Sequence, residues 1–139
     1  MSAFENAAHL KAVFGGMLQS FAQNDPIKML AGSGLIMSYV VTDPTVVFTI
    51  DASVEPAPGR AFAVHIDDSA APKAHVTFFM SGDTLDGLYS GGMSPMAALS
   101  GGLITTEGNR EAALKLLPAM FATIPRYKKF KEQYVASLS

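Results

Sequence analysis

Acid–base, nucleophilic and metal chemistry each need particular side chains at particular spacings, and this chain supplies few of them. Its three histidines, His9, His65 and His75, show no H-x-x-x-H spacing and have no cysteine neighbours, so no zinc-type ligand set is legible. His65 falls on the outward face of an alternating strand pattern, where an imidazole is ordinary surface. The close carboxylate pairs are Asp67–Asp68 and Asp83/Asp86. The first reads as a solvated turn. The second reads as acids drawn to the positive end of a helix. Nothing nearby in sequence would desolvate either pair and shift it toward general acid–base work. Ser90 has Leu88 where a nucleophile elbow requires glycine, so G-x-S-x-G is absent. Neither Gly32-Ser33-Gly34 nor Gly91-Gly92 extends into a phosphate-cradling motif, and both read as turns. The residues therefore point away from an enzyme, with no catalytic residue, no metal ligand and no cofactor expected.

Composition sets the frame. Of the 139 residues, 49% are hydrophobic and 16% charged, too apolar for disorder and enough for one cored domain. Mean hydropathy is +0.25, yet the longest apolar run, around Leu35 to Val41, stops at Thr42-Asp43-Pro44, far short of the ~20 residues a spanning helix needs. The net charge of −2 offers no footprint for nucleic acid, and the absence of cysteine excludes disulfides and thiol chemistry. Met1 to Glu5 lacks a secretory start, and Ser137-Leu138-Ser139 is not a Ser-Lys-Leu address, so the cytoplasm is the expected setting.

The pattern then predicts the elements that hold these residues. Ser2 and Glu5 have capping-box spacing. Leu10, Val13, Phe14, Met17, Leu18 and Phe21 follow as a helical stripe that ends at Asn24-Asp25-Pro26. From Leu35 the period becomes two. Val46, Phe48 and Ile50 alternate with Thr49 and Asp51, which predicts a strand with one wet face, reached by a hairpin through Thr42–Thr45. A third strand sets Phe62, Val64 and Ile66 against Ala61, Ala63 and His65, and a fourth places Val76, Phe78 and Met80 on one side. Ser81 caps a short helix carrying Leu85, Leu88 and Tyr89 that stops at Gly91-Gly92. Ser94-Pro95 starts another turn through Met96 and Leu99, closed by Gly101-Gly102, and residues 103–107 form a brief fifth strand. Asn109 caps a last helix with Ala113, Leu116, Leu117, Met120, Phe121 and Ile124 on one face and a kink at Pro118. The fold class is α+β.

Residues 74–117 resemble the sterol carrier protein type 2 family. Ala74 to Ser81 matches a strand entering a short helix, and Leu88 with Gly91 matches an L-x-x-G step. Pro95 with Ala98 matches the following P-x-x-A turn, and Gly102, Gly108 and Asn109 bracket the short last strand. Ala113, Leu116 and Leu117 match the start of the closing helix, while Gly92, Leu103 and Glu107 stand where lysines are common. The resemblance implies a five-stranded, twisted, mainly antiparallel sheet covered by helices, with an apolar cavity between them for a sterol, fatty acid, fatty acyl-CoA or isoprenoid/quinone-type lipid.

On that reading the candidate wall residues are Phe48, Phe78, Met80 and Ile104 on strands, Leu88, Met93, Met96 and Leu99 on the short helices, and Leu117, Met120, Phe121 and Ile124 on the closing helix. Flexible, polarizable methionines suit variable greasy shapes, although the same stripe would fill a solid core. A void of ~300 Å³ at ~24 cal/mol per Å³ costs about 7 kcal/mol, comparable to a whole domain's ~5–15 kcal/mol, so lipid fills such a space or a helix collapses into it. Residues 1–124 read as the lipid-binding domain and 125–139 as its basic amphipathic C-terminal helix. In that tail Tyr127, Phe130 and Tyr134 form a stripe among Arg126, Lys128, Lys129 and Lys131, suited either to docking on the body or to transient contact with a membrane surface. The function expected is non-catalytic binding and transfer of a lipid. The alternative is an interaction module or accessory subunit of a lipid-modifying or quinone-biosynthesis complex.

Overall fold

A computed structural model describes residues 4, 6–23, 35–53, 62–109, 111, 125–134 and 136. The N-terminal helix runs as α1 (Ala7–Leu10), a π-helical turn (Lys11–Gly15) and α2 (Gly16–Gln23). Asn6 caps α1: it is extended (φ −162°, ψ 178°), and its side-chain oxygen accepts from the His9 amide at 2.9 Å, while the expected Ser2–Glu5 capping box lies outside the described residues. Phe4, just before this cap, is buried in the core. Val13, Phe14, Met17 and Leu18 are buried as the stripe requires. Within the π-helical turn, a Cβ added at Gly15 would stand 2.9 Å from Ile66 Cδ1 and 3.5 Å from the Phe48 ring, so the helix lies directly on the sheet there.

The sheet comprises β1 (Ile36–Thr42), β2 (Val46–Asp51), β3 (Ala63–Ile66), β4 (Val76–Ser81) and β5 (Thr105–Gly108), in spatial order β3-β2-β1-β4-β5. Three neighbouring pairs are antiparallel, and β1 with β4 is parallel. The register sets Ile66, Phe48, Tyr39, Phe78 and Thr106 side by side across all five strands on one face. That face receives Phe14 from the N-terminal helix and Tyr89 from α3 (Gly82–Tyr89). An α+β layer with an open, mainly antiparallel sheet is the result.

The opposite face is drier than expected. Thr49 and Asp51 were expected in water, yet both are buried, as is Ser38 beside them. Short side chains in the inner columns of a five-stranded sheet lie below the tops of longer neighbours, here the half-buried Val40, Val47 and Phe79. They also satisfy one another: the Ser38 and Thr49 hydroxyls are 3.4 Å apart, and the Asp51 carboxylate accepts from both the amide and the hydroxyl of Ser53.

The connections after β4 follow their caps. Ser81 accepts from the Thr84 amide at 3.1 Å to open α3, and Ser94 from the Ala97 amide at 3.4 Å to open α4 (Pro95–Ser100). Gly91 and Gly102, with φ of 82° and 77°, let the chain leave these helices by conformations that a side chain resists. Asn109 donates its amide to the His75 carbonyl at 2.9 Å. The expected closing helix, with Ala113, Leu116, Leu117, Met120, Phe121, Ile124 and the Pro118 kink, lies outside the described residues, as does Gly32–Gly34. Residues 125–134 form the C-terminal helix. Among the described residues no helix is long and apolar enough to cross a membrane.

Candidate ligand-binding site

The space between sheet and helices begins with aromatic rings. Phe14 meets Tyr39, Phe48 and Tyr89 edge-on, with centroids 5.5, 4.9 and 5.0 Å away, and Tyr39 stacks on Phe78 at 5.4 Å. Such edge and offset contacts each add about 0.5–1.5 kcal/mol beyond burial. Phe48 and Phe78, two of the expected wall residues, are therefore enclosed by protein side chains. Met80, Leu88 and Ile104 are buried in the same continuous core.

Toward α4 the packing loosens. Met93 and Leu99 are half-buried against the core, while Met96 is 55% exposed and Leu103 52%. No charged residue interrupts positions 87–106, between Asp86 and Glu107. The apolar side chains of this stretch thus range from exposed Met96 and Leu103, through half-buried Met93 and Leu99, to buried Leu88, Ala98 and Ile104. Leu103 was not among the expected residues, although the long gap between charges was visible in the sequence. Leu117, Met120, Phe121 and Ile124 lie outside the described residues.

Polar groups on this side of the sheet are tied into structure. The hydroxyls of Tyr39 and Tyr89 are 2.8 Å apart in the interior. Burial pushes Tyr39 up to about 12 against a hydrogen bond from Tyr89 that pulls the other way, and pushes Tyr89 well above its usual value. Tyr127 is fully buried and donates to Asp86 Oδ1 at 2.8 Å. Burial first, and the Asp86 carboxylate second, raise its pKa. Lys131 donates to the same oxygen at 2.7 Å. Phe130 packs against Gly16, and Tyr134 stacks on His9 with centroids 4.3 Å apart. The aromatic stripe of the tail is thus seated on the body of the protein, which leaves Lys128 and Lys129 exposed.

The remaining candidates for chemistry also have structural tasks. His75 Nδ1 accepts from the Ile36 amide at 3.1 Å, and His65 pairs with Asp68 at 3.1 Å. Asp67 holds the Val47 amide at 2.8 Å and Lys11 at 2.9 Å, and these lower its pKa in that order. Asp68 is lowered by the Ala70 amide and then by His65. Asp83 lies in the first turn of α3, whereas Asp86 stands farther along and serves the C-terminal helix. Among the described residues no group of three or more His, Asp or Glu is placed to hold a metal ion.

No protein-family model matches this sequence, and no curated protein matches it significantly. Solved structures do. The sterol carrier protein domain 2 of Helicoverpa armigera superposes with a TM-score of 0.61 at 22% identity, over 88% of this chain and 95% of that one. Sterol carrier protein 2 from Yarrowia lipolytica, in its apo form, gives 0.63 at 13% identity over 87% and 97%. The ubiquinone synthesis protein UbiJ-SCP2 gives 0.57 at 13% identity over 82% and 95%.

Proposed function

We propose that this chain, which has the sterol carrier protein 2 fold, binds one hydrophobic lipid by burial and transfers or presents it without covalent chemistry. The observation that carries this reading is that Met93, Met96, Leu99 and Leu103 stay half-buried to exposed in a stretch with no charge from residue 87 to 106, which also holds the buried Leu88, Ala98 and Ile104. Apolar side chains left at the surface beside the core suit contact with an apolar ligand. The ligand enters beside α4, with Leu88 and Ile104 beneath it. Leu117, Met120, Phe121 and Ile124 supply the opposing wall on the sequence reading, and Phe48, Phe78 and Met80 form the floor that the ring cluster covers.

Sterols, fatty acids, fatty acyl-CoA and isoprenoid or quinone-type lipids all fit a site that selects by apolar area, at ~25 cal/mol per Å². The solved relative that is a ubiquinone synthesis protein favours, as a second reading, an accessory role in a lipid-modifying or quinone-forming complex. Residues 1–139 act as one cytoplasmic domain on this proposal, with 125–139 as its terminal helix. Membrane contact, where it occurs, uses the exposed Lys128 and Lys129 rather than the seated aromatic stripe.

Native mass spectrometry after mild purification, followed by displacement of a fluorescent fatty acid, tests the proposal. Bound lipid, or saturable displacement by a sterol, an acyl chain or a quinone, is expected. A chain that comes away empty and takes up none of these probes refutes it.

A further inference from the structure

Five of the eight methionines fall among the described residues, and their surroundings differ. Met17 on α2, Met37 on β1 and Met80 on β4 are 0%, 3% and 4% exposed. Met93 is half-buried, with its thioether lying on Gly87 of α3, where an added Cβ would stand 3.2 Å from Met93 Cε. Of these five, Met96 is the open one, at 55% exposure.

The local sequence holds Met96 outward. Ser94 accepts from the Ala97 amide and Pro95 takes the first helical position, so α4 starts in a set orientation. Pro95 and Ala98, three residues apart, form its buried face. The Ala98 carbonyl also accepts from the amides of Leu103 and Ile104, at 2.9 and 3.2 Å, which ties the exit of the helix. Met96 follows Pro95 by one residue, about 100° around the axis, and so leaves the buried face for solvent. Leu99, one turn on, stays half-buried on the same flank.

We propose that Met96 is a modification site, oxidised by hydrogen peroxide to methionine sulfoxide ahead of the other four, and that the added oxygen weakens the hold on lipid beside α4. The effect on affinity rests on the lipid reading above; the order of oxidation does not. In the step, a sulfur lone pair attacks one peroxide oxygen, the S–O bond forms and the O–O bond breaks. The departing hydroxide takes the proton of the new S–OH group and leaves as water. Sulfur is oxidised by two electrons and the peroxide is reduced by two. Attack needs the oxidant at the thioether, so exposure sets the order. The product is polar where the thioether was apolar and adaptable, so an acyl chain passing α4 loses a contact and meets a dipole. Enzymatic reduction of the sulfoxide returns the thioether, which makes the change reversible.

The test treats the folded full chain with limiting hydrogen peroxide and follows each methionine separately by peptide mapping. Met96 is expected to react fastest of the five, Met93 next, and Met17, Met37 and Met80 at least about tenfold more slowly. Protein oxidised at Met96 should bind a fluorescent fatty acid roughly threefold more weakly, and methionine sulfoxide reductases of both epimer specificities should restore it. Leucine fills a similar volume and cannot be oxidised, so the affinity of Met96→Leu should be the same before and after the peroxide dose. Met17, Met37 or Met80 reacting as fast as Met96, an unaltered affinity once Met96 is oxidised, or an equal loss of affinity in treated Met96→Leu would each overturn the proposal. The rates are read without ligand. A parent that binds no fatty acid therefore defeats the lipid reading and the affinity effect together, while the order of oxidation still judges the site by itself.

Discussion

Asp86 collects on one oxygen a phenol and an ammonium that arrive 41 and 45 positions later in the chain. The phenol is the stronger tie, because Tyr127 is fully buried and its partner is ionic, whereas Lys131 is partly exposed and its ion pair is screened. Tyr127→Phe is expected to cost about 1–3 kcal/mol in urea unfolding, and Lys131→Ala only about 0–1 kcal/mol. A double-mutant cycle with Asp86→Asn should return a coupling to Tyr127 near 1 kcal/mol, and additive effects would show that the bond contributes nothing. Buried phenols also fix the alkaline limit. Tyr39 is held at about 12, and Tyr89 and Tyr127 are raised from the ordinary value of 10.0. A pKa raised by folding gives stability that is fully present below the unfolded value and is lost as pH climbs through the folded one, so unfolding free energy should fall above pH 10. At the other end Asp67 and Asp68 are lowered from 3.8, so their contribution is present above that value and disappears as pH falls below it. Urea midpoints against pH, with tyrosinate absorbance recorded in parallel, check both limbs. A folded protein whose three buried phenols ionise near pH 10 would contradict the burial.

At the scale of elements, the junctions depend on glycines whose surroundings differ. A Cβ at Gly108 would stand 2.2 Å from the His75 carbonyl oxygen, the same oxygen that accepts from Asn109, and its φ is +94°. At Gly102 the φ is +77° but nothing lies within 4 Å. Gly108→Ala should therefore cost about 3 kcal/mol or more, from strain plus displacement of the β4–β5 junction, and Gly102→Ala only about 1 kcal/mol. Equal urea midpoints for the two variants would mean that the close approach is not real. These junctions also show where sequence is readable. Ser81, Ser94, Gly91 and Gly102 act within three or four residues of themselves, so caps and exits follow from local chemistry, and the alternation of β2 and β4 places Phe48, Phe78 and Met80 inward. What depends on distant neighbours was not readable. The burial of Thr49 and Asp51 needs the columns on either side of them, the parallel pairing of β1 with β4 needs the crossing between them, and the seat of the tail needs Asp86 on a helix far upstream. In the same way, the uncharged stretch 87–106 was visible as composition, and only the fold shows that it borders the core.

Among the described residues, burial differs between the two sides of the sheet layer. Under the N-terminal helix Phe14 packs edge-on against Phe48, and Gly15 brings backbone against Ile66 and Phe48. Beyond α3 lie the half-buried Met93 and Leu99 and the exposed Met96 and Leu103, in a stretch of sequence without charge from residue 87 to 106. On the proposed function a lipid enters on the α4 side without displacing the ring cluster, and the two sides can be tested apart. Met96 and Leu103 are about half exposed, so replacing them does little to the fold, while a charge at each places an ion where an acyl chain or ring system would pass. The double variant Met96→Lys with Leu103→Lys should keep its urea midpoint within about 0.5 kcal/mol of the parent. Its affinity for a fluorescent fatty acid should fall roughly tenfold, which corresponds to about 1.4 kcal/mol for two lost apolar contacts and the charges set beside them. Lys128→Glu with Lys129→Glu, on the far helix, should leave the affinity for a neutral lipid unchanged. Should the rim variant bind as tightly as the parent, entry beside α4 is wrong and any ligand must displace the rings of Phe14 and Tyr39 instead, a route that Phe14→Ala would widen.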